Sequence, residues 1–299
     1  MNIAVALTDK ILDKLKLVLK ISISIYALWF ISHQDFNLNF SLDKTLQIWS
    51  ILLIFSILNW FFEIKKWQFL AGNIQNISFY TAFKQSLISF SWALVTPNRI
   101  GEYGAKAYFY KALHRKNILG LIFIGNLSQL FTTIIFGIIA VIFLNQNDYF
   151  LKKIISDKIW FIVLLSIISI VFLYIIYKKV SIEFIINFKL LKNSFFYSVL
   201  RYLAFSTQFF LLYWIVEKHG NLFQILNAIY LTYLLASLVP VLTYTDWAVK
   251  GGIATWVFSK LGLSITFIIQ IVGIMWIFNF IIPFILGILF MWNFNRTNS

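Results

Sequence analysis

Apolar runs long enough to cross a lipid bilayer recur along the whole chain. A spanning helix needs about 20 consecutive, mostly apolar residues, and 61% of the 299 residues are hydrophobic while 12% are charged. A soluble domain is closer to about half apolar and a quarter charged, and no stretch between the runs is long enough to form a separate aqueous domain. We therefore predict an all-α polytopic membrane protein with a single membrane domain over residues 1–299. The predicted spans are Leu15–Ser32, Leu46–Leu70, Ile118–Leu144, Ile159–Tyr177, Phe195–Val216 and Ile265–Trp292.

Two further apolar segments, Phe79–Val95 and Leu222–Val239, are shorter, and each ends close to a proline. Because proline lacks an N–H and fixes φ, it suits a break between two short helices. We interpret each broken pair as a re-entrant helical hairpin that enters and leaves the membrane on the same side. The breaks lie at Pro97 and Pro240, and the charged, helix-like stretches that follow them are Arg99–Leu113 and Thr245–Leu261.

An offset of 144 residues relates the first half of the chain to the second, element for element. The hexapeptide at 102–107 maps onto that at 246–251, and both read as an acid, an aromatic residue, two small or apolar residues, a lysine and a small residue. Because charged residues are scarce here, this match favours an internal repeat over chance similarity. We predict repeats over about 15–144 and 159–292. With three crossings in each half, an odd number, the second repeat is inverted relative to the first.

The formal net charge of +14 is carried mostly by short loops between the apolar runs. This pattern is typical of positive-inside topology and of contact with anionic lipid headgroups, rather than of nucleic-acid binding. Most of the basic loop residues fall on one side, which predicts that both termini are cytoplasmic in a bacterial-type inner membrane. If all eight hydrophobic segments cross fully, the loop charges partition less cleanly, but both termini still lie on one side.

The two proline-broken regions carry charge at membrane depth, where ionisable side chains are costly and usually functional. In transporters, the N-termini of discontinuous helices attract anions near the bilayer midplane. We therefore expect the two regions to meet at a pseudo-two-fold axis and to bind a phosphate-bearing headgroup. The expected roles are headgroup binding by Arg99, Lys106 and Lys250, charge balance or proton coupling by Glu102 and Asp246, and helix breaks at Pro97, Asn98, Pro240 and Thr245, with Asn98 and Thr245 as N-caps.

Plainer interpretations stand beside these roles. Glu102 with Lys106, and Asp246 with Lys250, are spaced i,i+4, which by itself gives only a modest intrahelical ion pair. Arg99 also suits a cytoplasmic residue that does no more than set the topology.

Glu63 and Lys66, near the inner end of the second span, are interpreted as an ion pair at headgroup level. Polar residues inside the spans are expected to form interhelical hydrogen bonds rather than to bind ligands. These residues are Asn126, Gln129, Gln208 and Gln270.

Several features point away from catalysis. The chain has no cysteine, and its three histidines are not clustered. It also lacks a phosphate-cradling glycine-rich loop with Lys-Ser/Thr, an Asp-rich magnesium motif and a serine nucleophile elbow. We therefore predict that the protein is not an enzyme and uses no cofactor or metal.

The segment Thr96-Pro97-Asn98-Arg99-Ile100-Gly101-Glu102 resembles the Pro-x-Arg-x-Gly-Glu/Asp segment of the lysylphosphatidylglycerol synthase transmembrane family. Asn59-Trp60 and Lys66-Trp67 also resemble that family's second span. The second half departs from the family pattern, because Gly251-Gly252 follow Asp246 here. Bifunctional members carry a soluble aminoacyl-transferase domain after the membrane part, and this sequence has none before Ser299. The resemblance therefore implies the membrane half, with lipid translocation rather than lipid synthesis.

These observations predict an inner-membrane, flippase-like translocase for an anionic phosphate-containing lipid or a polyprenyl-phosphate carrier. Its expected partners are membrane lipids with anionic headgroups and not nucleic acid, while a homo-oligomer or an envelope-assembly partner stays open. One alternative is an intramembrane enzyme that acts on lipid-linked substrates, with Glu102 or Asp246 as general acid or base. The other is a non-catalytic accessory protein of envelope assembly.

Overall fold

The computed structural model describes residues 42–95, 100–147, 188–217, 220–239 and 245–292, and every regular element in these ranges is helical. A 3₁₀ turn spans Ala112–His114, and a π-helical segment spans Ile277–Ile281. The helices are α1 Leu42–Ala71, α2 Phe79–Val95, α3 Ile100–Tyr108, α4 Arg115–Asn147, α5 Phe188–Glu217, α6 Leu222–Leu238, α7 Asp246–Lys260, α8 Ile268–Trp276 and α9 Ile282–Trp292.

Four helical stretches in the described ranges are long and apolar enough to cross a membrane. They fall where the sequence predicts spans, so the all-helical prediction is confirmed and the protein is membrane-embedded by the length and composition of its helices. The predicted spans Leu15–Ser32 and Ile159–Tyr177 lie outside the described residues. The four stretches are Thr45–Ala71, Ala112–Leu144, Phe188–Glu217 and Ile268–Met291.

Two of the shorter helices show how the sequence sets helix ends. Asn221 is the N-cap of α6, and its side chain accepts a hydrogen bond from the Phe223 N–H at 2.9 Å. At the end of α7, Gly262 adopts a φ of +66°, and the Leu263 N–H donates to the Phe258 carbonyl at 2.9 Å. This is a Schellman motif, in which glycine takes the left-handed conformation without strain. Local hydrogen bonds therefore fix the start of α6 and the end of α7, the two helix ends that lead into and out of the region that holds the site.

The packing follows the correspondence that the 144-residue offset makes between helices. The offset pairs α1 with α5, α2 with α6, α3 with α7, and α4 with the stretch at 268–292. In the structure α1 packs along its own counterpart α5. Helix α4 packs on α6 while α9 packs on α2, and α3 packs on α2 as α7 packs on α6. Each of these contacts between the first and second halves thus has a counterpart, to which the 144-residue offset relates it.

A glycine lies at each of the two tight contacts between the halves. A Cβ on Gly137 of α4 would stand 2.5 Å from the Leu234 Cβ of α6. A Cβ on Gly287 of α9 would overlap the Leu87 carbonyl and the Ser91 hydroxyl of α2. Both glycines therefore let helix backbones approach closely, as small residues do between membrane helices.

Two buried apolar clusters flank a polar layer on the central helices. Leu52 and Phe209 belong to one cluster, and Ile64 and Leu190 belong to the other. On α1 the polar layer occupies positions between Leu52 and Ile64, and on α5 it lies between Leu190 and Phe209. The candidate site is built on this layer.

Candidate functional site

A largely buried ion-pair cluster joins α1 to α5 at the polar layer. The Glu63 carboxylate accepts hydrogen bonds from Lys66 Nζ and from Arg201 Nη1, each at 2.7 Å. Arg201 Nε also donates to Asn59 Oδ1 at 3.0 Å. The Lys66 side chain is 4% exposed and that of Arg201 is 23% exposed. Glu63 is thus shared by a lysine of its own helix and an arginine of the opposite half.

A chain of side-chain amides extends this cluster to the π-helical segment. Asn59 Nδ2 donates to Asn279 Oδ1 at 2.8 Å, and Asn279 Nδ2 donates to Gln208 Oε1 at 2.8 Å. Gln208 Nε2 then donates to the Ser56 hydroxyl at 3.0 Å and to the Leu52 carbonyl at 3.1 Å. Because burial makes an unpaired amide expensive, these complementary bonds fix how α1, α5 and the π-helical segment pack.

The π-helical segment at 277–281 has a cause in the sequence. Pro283 has no N–H to donate to the carbonyl four residues earlier, that of Asn279. Trp60 Nε1 donates to this carbonyl instead, at 3.1 Å. The irregular turn thereby presents both the side chain and the main chain of Asn279 to α1, and such π-helical turns are frequent at functional sites.

A cavity of about 200 Å³ opens beside this network. Its polar lining comes from both halves and includes Arg201 of α5 together with Asp246 and Lys250 of α7. Aromatic and aliphatic side chains form most of the remaining wall. The other lining residues are Asn59, Phe90, Phe205, Phe209, Thr232, Tyr233, Trp247, Val272, Met275, Trp276, Asn279 and Phe280.

The second acid–lysine pair lies at this cavity. Lys250 Nζ donates to Asp246 Oδ2 at 2.6 Å, and the two side chains are 36% and 25% exposed. Thr245 is buried and takes the predicted N-cap position of α7, although its side chain makes no capping hydrogen bond. Lys250 and Asp246 are therefore predicted site residues that the structure does bring to a cavity.

The first acid–lysine pair lies in a different setting. Lys106 Nζ donates to Glu102 Oε1 at 3.0 Å, and each side chain is only 5% exposed. Lys106 Nζ also stands 4.6 Å from the centre of the Trp67 ring, whose indole nitrogen donates to Gln85 Oε1 at 2.9 Å. Tyr110 donates to the same oxygen at 3.1 Å, and burial raises its pKa to about 12, so it stays a neutral donor.

The two pairs do not share one cavity. Glu102 and Lys106 are absent from the lining of the cavity at Arg201, and α3 packs on α2 and α4 while α7 packs on α6 and α8. The two acid–lysine pairs therefore line no common cavity among the described residues. The ion pair that joins the two halves is formed by Glu63 and Arg201 on the central helices.

Comparison of the chain with family profiles, curated proteins and solved structures gives no match. The resemblance at 96–102 thus remains without independent support, and four of the residues with expected site roles lie outside the described part of the chain. Those residues are Pro97, Asn98, Arg99 and Pro240.

Two polar residues that were expected to bond between helices do so. Asn126 Nδ2 of α4 donates to the Tyr103 hydroxyl of α3 at 2.8 Å. Gln208 of α5 bonds to α1 and to Asn279. The prediction of interhelical hydrogen bonding is confirmed for Asn126 and Gln208.

Glu63 and Lys66 form the predicted pair, and the structure adds Arg201 as a second partner of Glu63. Sequence reasoning missed Arg201 altogether. Its signal was present, since Arg201 is the one charged residue between Lys192 and Glu217. Charge within an apolar span marks a candidate site by default.

An apolar groove of about 360 Å³ lies beside the charged cavity. Trp60 lines the groove and packs edge-on against Phe90, a wall residue of the cavity, with ring centres 5.0 Å apart. Within the described residues, no cluster of three histidine, aspartate or glutamate side chains is placed to hold a metal. The groove residues are Leu53, Ser56, Ile57, Trp60, Phe61, Ile64, Phe79, Phe83, Leu87, Phe278, Ile282, Pro283 and Leu286.

Proposed function

We propose that the protein moves an anionic, phosphate-containing lipid, or a polyprenyl-phosphate carrier, between the leaflets of a bacterial-type inner membrane. The observation that carries this proposal is the adjacency of a charged cavity and an apolar groove across one aromatic wall, Trp60 and Phe90. A lipid has the same two parts, a polar headgroup and apolar chains, at a short fixed distance from each other.

The headgroup part of the proposal rests on the cations in the cavity. Arg201 and Lys250 would donate charge-assisted hydrogen bonds to a phosphate, and these are roughly twice as strong as neutral ones. Asp246 holds Lys250 between substrates, because its carboxylate is the lysine's present partner at 2.6 Å. The role expected for Lys250 therefore stays in the proposal, whereas Lys106, buried against Trp67, would act by stabilising its own half.

The chain part of the proposal rests on the groove. Its lining is almost entirely aliphatic and aromatic, so it offers lipid chains van der Waals contacts like those of the bilayer core and exposes them to few polar groups. In the proposed state, the chains of the lipid lie in the groove while its phosphate reaches Arg201 and Lys250.

The corresponding helix contacts support an architecture of two inverted repeats, each with three spanning helices and a re-entrant hairpin. Transporters built from inverted repeats bind substrate near the midplane, between the repeats, and the cavity is lined from both halves here. Both termini would then be cytoplasmic. Membership of the lysylphosphatidylglycerol synthase transmembrane family, without the aminoacyl-transferase domain, fits this arrangement and is part of the proposal.

The test is transport by the purified protein in liposomes. Fluorescent phosphatidylglycerol placed in one leaflet should reach the other faster than in protein-free liposomes, and its mass should not change. Lys250→Ala should slow the transfer, while Lys84→Met, which removes a cation that stacks on Tyr80 away from the cavity, should not. A change of lipid mass would favour an enzyme, and protein-free rates for every anionic lipid would favour an accessory protein.

A further inference from the structure

Two of the three guanidinium nitrogens of Arg201 donate hydrogen bonds to neighbouring side chains. Its Nε donates to Asn59 and its Nη1 donates to Glu63, so the plane of the guanidinium is fixed. Among the described residues, none accepts a hydrogen bond from Nη2. The side chain lines the cavity and is partly exposed there. A guanidinium held in this way keeps a donor available for an acceptor in the cavity without further loss of side-chain freedom.

The positive charges of the ionised groups around the cavity outnumber the negative charges. Lys250 and Asp246 neutralise each other, but the single carboxylate of Glu63 serves both Lys66 and Arg201. The charge of Arg201 is therefore balanced by Glu63, and Lys66, which reaches the cavity only through Glu63, adds one surplus positive charge to the connected cluster of described groups. A buried charge without a counter-charge is costly, so an anion in the cavity stabilises the arrangement.

A second donor in the wall lacks a partner. The indole nitrogen of Trp276 is buried, and no described residue accepts its hydrogen bond. Trp276 also lines the cavity. Buried N–H groups without an acceptor are rare in folded proteins, and an oxygen of a bound anion would supply the missing acceptor. This observation is independent of the charge count.

We infer that the cavity selects a lipid phosphodiester with a single negative charge and that Arg201 Nη2 contacts its phosphate. The inference rests on the proposed function, because it assumes that this cavity receives the headgroup. A phosphomonoester carries about −1.5 to −2 at pH 7, which exceeds the single surplus charge. A zwitterionic headgroup brings its own cation and leaves the surplus unmatched. Of the two proposed substrate classes, the cavity therefore favours a phosphodiester lipid over the terminal monophosphate of a polyprenyl carrier.

Glu63, Lys66 and Asn59 are positioning residues in this scheme, because they act through Arg201. They also offer a way to change the charge of the site in single steps. Glu63→Gln raises the surplus from one positive charge to two, and Lys66→Met lowers it to zero. The double variant Glu63→Gln/Lys66→Met returns it to one. A purely structural role of these residues predicts no ordered change of headgroup preference along this series.

The experiment measures binding rather than transport. The purified full-length protein in detergent is titrated with phosphatidylglycerol, phosphatidic acid and phosphatidylcholine that have identical chains. The native protein should prefer phosphatidylglycerol to phosphatidylcholine by about tenfold or more, because the choline cation cancels the phosphate charge and leaves the surplus charge of the cluster unmatched. Arg201→Gln should abolish this preference. Lys84→Met, which changes a cation outside the cavity, should leave it unchanged.

The charge series gives the sharper result. Glu63→Gln should shift the preference toward phosphatidic acid, Lys66→Met should weaken the binding of both anionic lipids, and the double variant should restore the native order. If Glu63→Gln does not fold, the comparison of Lys66→Met with the double variant still tests the inference. Lys66→Met is expected to fold because it keeps the neutral Glu63–Arg201 pair. An unchanged ratio of phosphatidylglycerol to phosphatidic acid across the series, or native selectivity in Arg201→Gln, would overturn the inference. Predicted binding without any transfer between leaflets would overturn the proposed function alone.

Discussion

Trp60 donates its indole N–H to the main-chain carbonyl of Asn279, 3.1 Å away on the other half of the chain. Pro283 cannot serve that carbonyl, so a side chain of α1 stabilises an irregular turn more than 200 residues later in the sequence. The same tryptophan separates the charged cavity from the apolar groove. Helix irregularity, contact between the halves and the shape of the candidate site thus depend on one residue.

Trp60→Phe should destabilise the protein by about 1–3 kcal/mol, because it leaves the Asn279 carbonyl buried without this donor. Unfolding in mixed micelles of increasing denaturing detergent measures the change. In a Pro283→Ala background the same substitution should cost less, since residue 283 then has an N–H. Additive effects of the two substitutions would show that the indole bond and the proline are not coupled.

Gly287→Ala should lower the apparent melting temperature, because a Cβ at this position overlaps the backbone of α2 at Leu87. Overpacking of this kind costs about 1–3 kcal/mol. Gly104→Ala is the matched control, since nothing in the described residues stands within 4 Å of its Cβ. Equal melting temperatures for the two variants would mean that α9 and α2 separate easily at this contact.

The two acid–lysine pairs should respond differently to the removal of charge. Lys106→Ala leaves Glu102 buried and should cost about 3–5 kcal/mol of stability, whereas Glu102→Gln/Lys106→Met should restore both folding and lipid transfer. Asp246→Asn/Lys250→Met should fold and insert normally but transfer lipid slowly. Folding is followed by size-exclusion chromatography and transfer by the liposome assay. Full transfer by the Asp246/Lys250 double variant would remove Lys250 from the site.

Introduced cysteines test the topology in this cysteine-free chain. Cysteines at Asn2, Asn117 and Asn298 should be labelled from the cytoplasm, and cysteines at Asn37 and Asn147 should be labelled from outside. Membrane-impermeant maleimide applied to intact cells and to inverted vesicles distinguishes the two sides. Labelling of Asn2 and Asn298 from opposite sides would contradict two inverted repeats of three spans each.

The sequence predicts the helices well because the bilayer fixes their length. The apolar runs predicted at Ile118–Leu144 and Leu222–Val239 match α4 and α6 closely, and Asn126 bonds to a neighbouring helix as expected. A polar residue in an apolar run has few ways to satisfy its hydrogen bonds, so its role follows from local pattern alone.

The site was predicted only in part, because it depends on which helices lie side by side. Arg201 meets Glu63 across 138 residues of sequence, and no periodicity within either helix indicates that contact. The internal repeat suggested that Lys106 and Lys250 have equivalent roles, yet one is buried against Trp67 and the other lines the cavity. Repeats conserve helix order more readily than the surroundings of a particular side chain.

The sharing of Glu63 between two cations has a consequence for any movement of α1 relative to α5. Lys66 is three residues from Glu63 on the same helix, and Arg201 is on the opposite one. When the helices separate, the carboxylate keeps its lysine, so it is never left as a bare anion in a medium of low dielectric constant. Lys66 thus acts as a spare counter-ion for Glu63, and the charge that loses its partner when the halves part is that of Arg201, which lines the cavity.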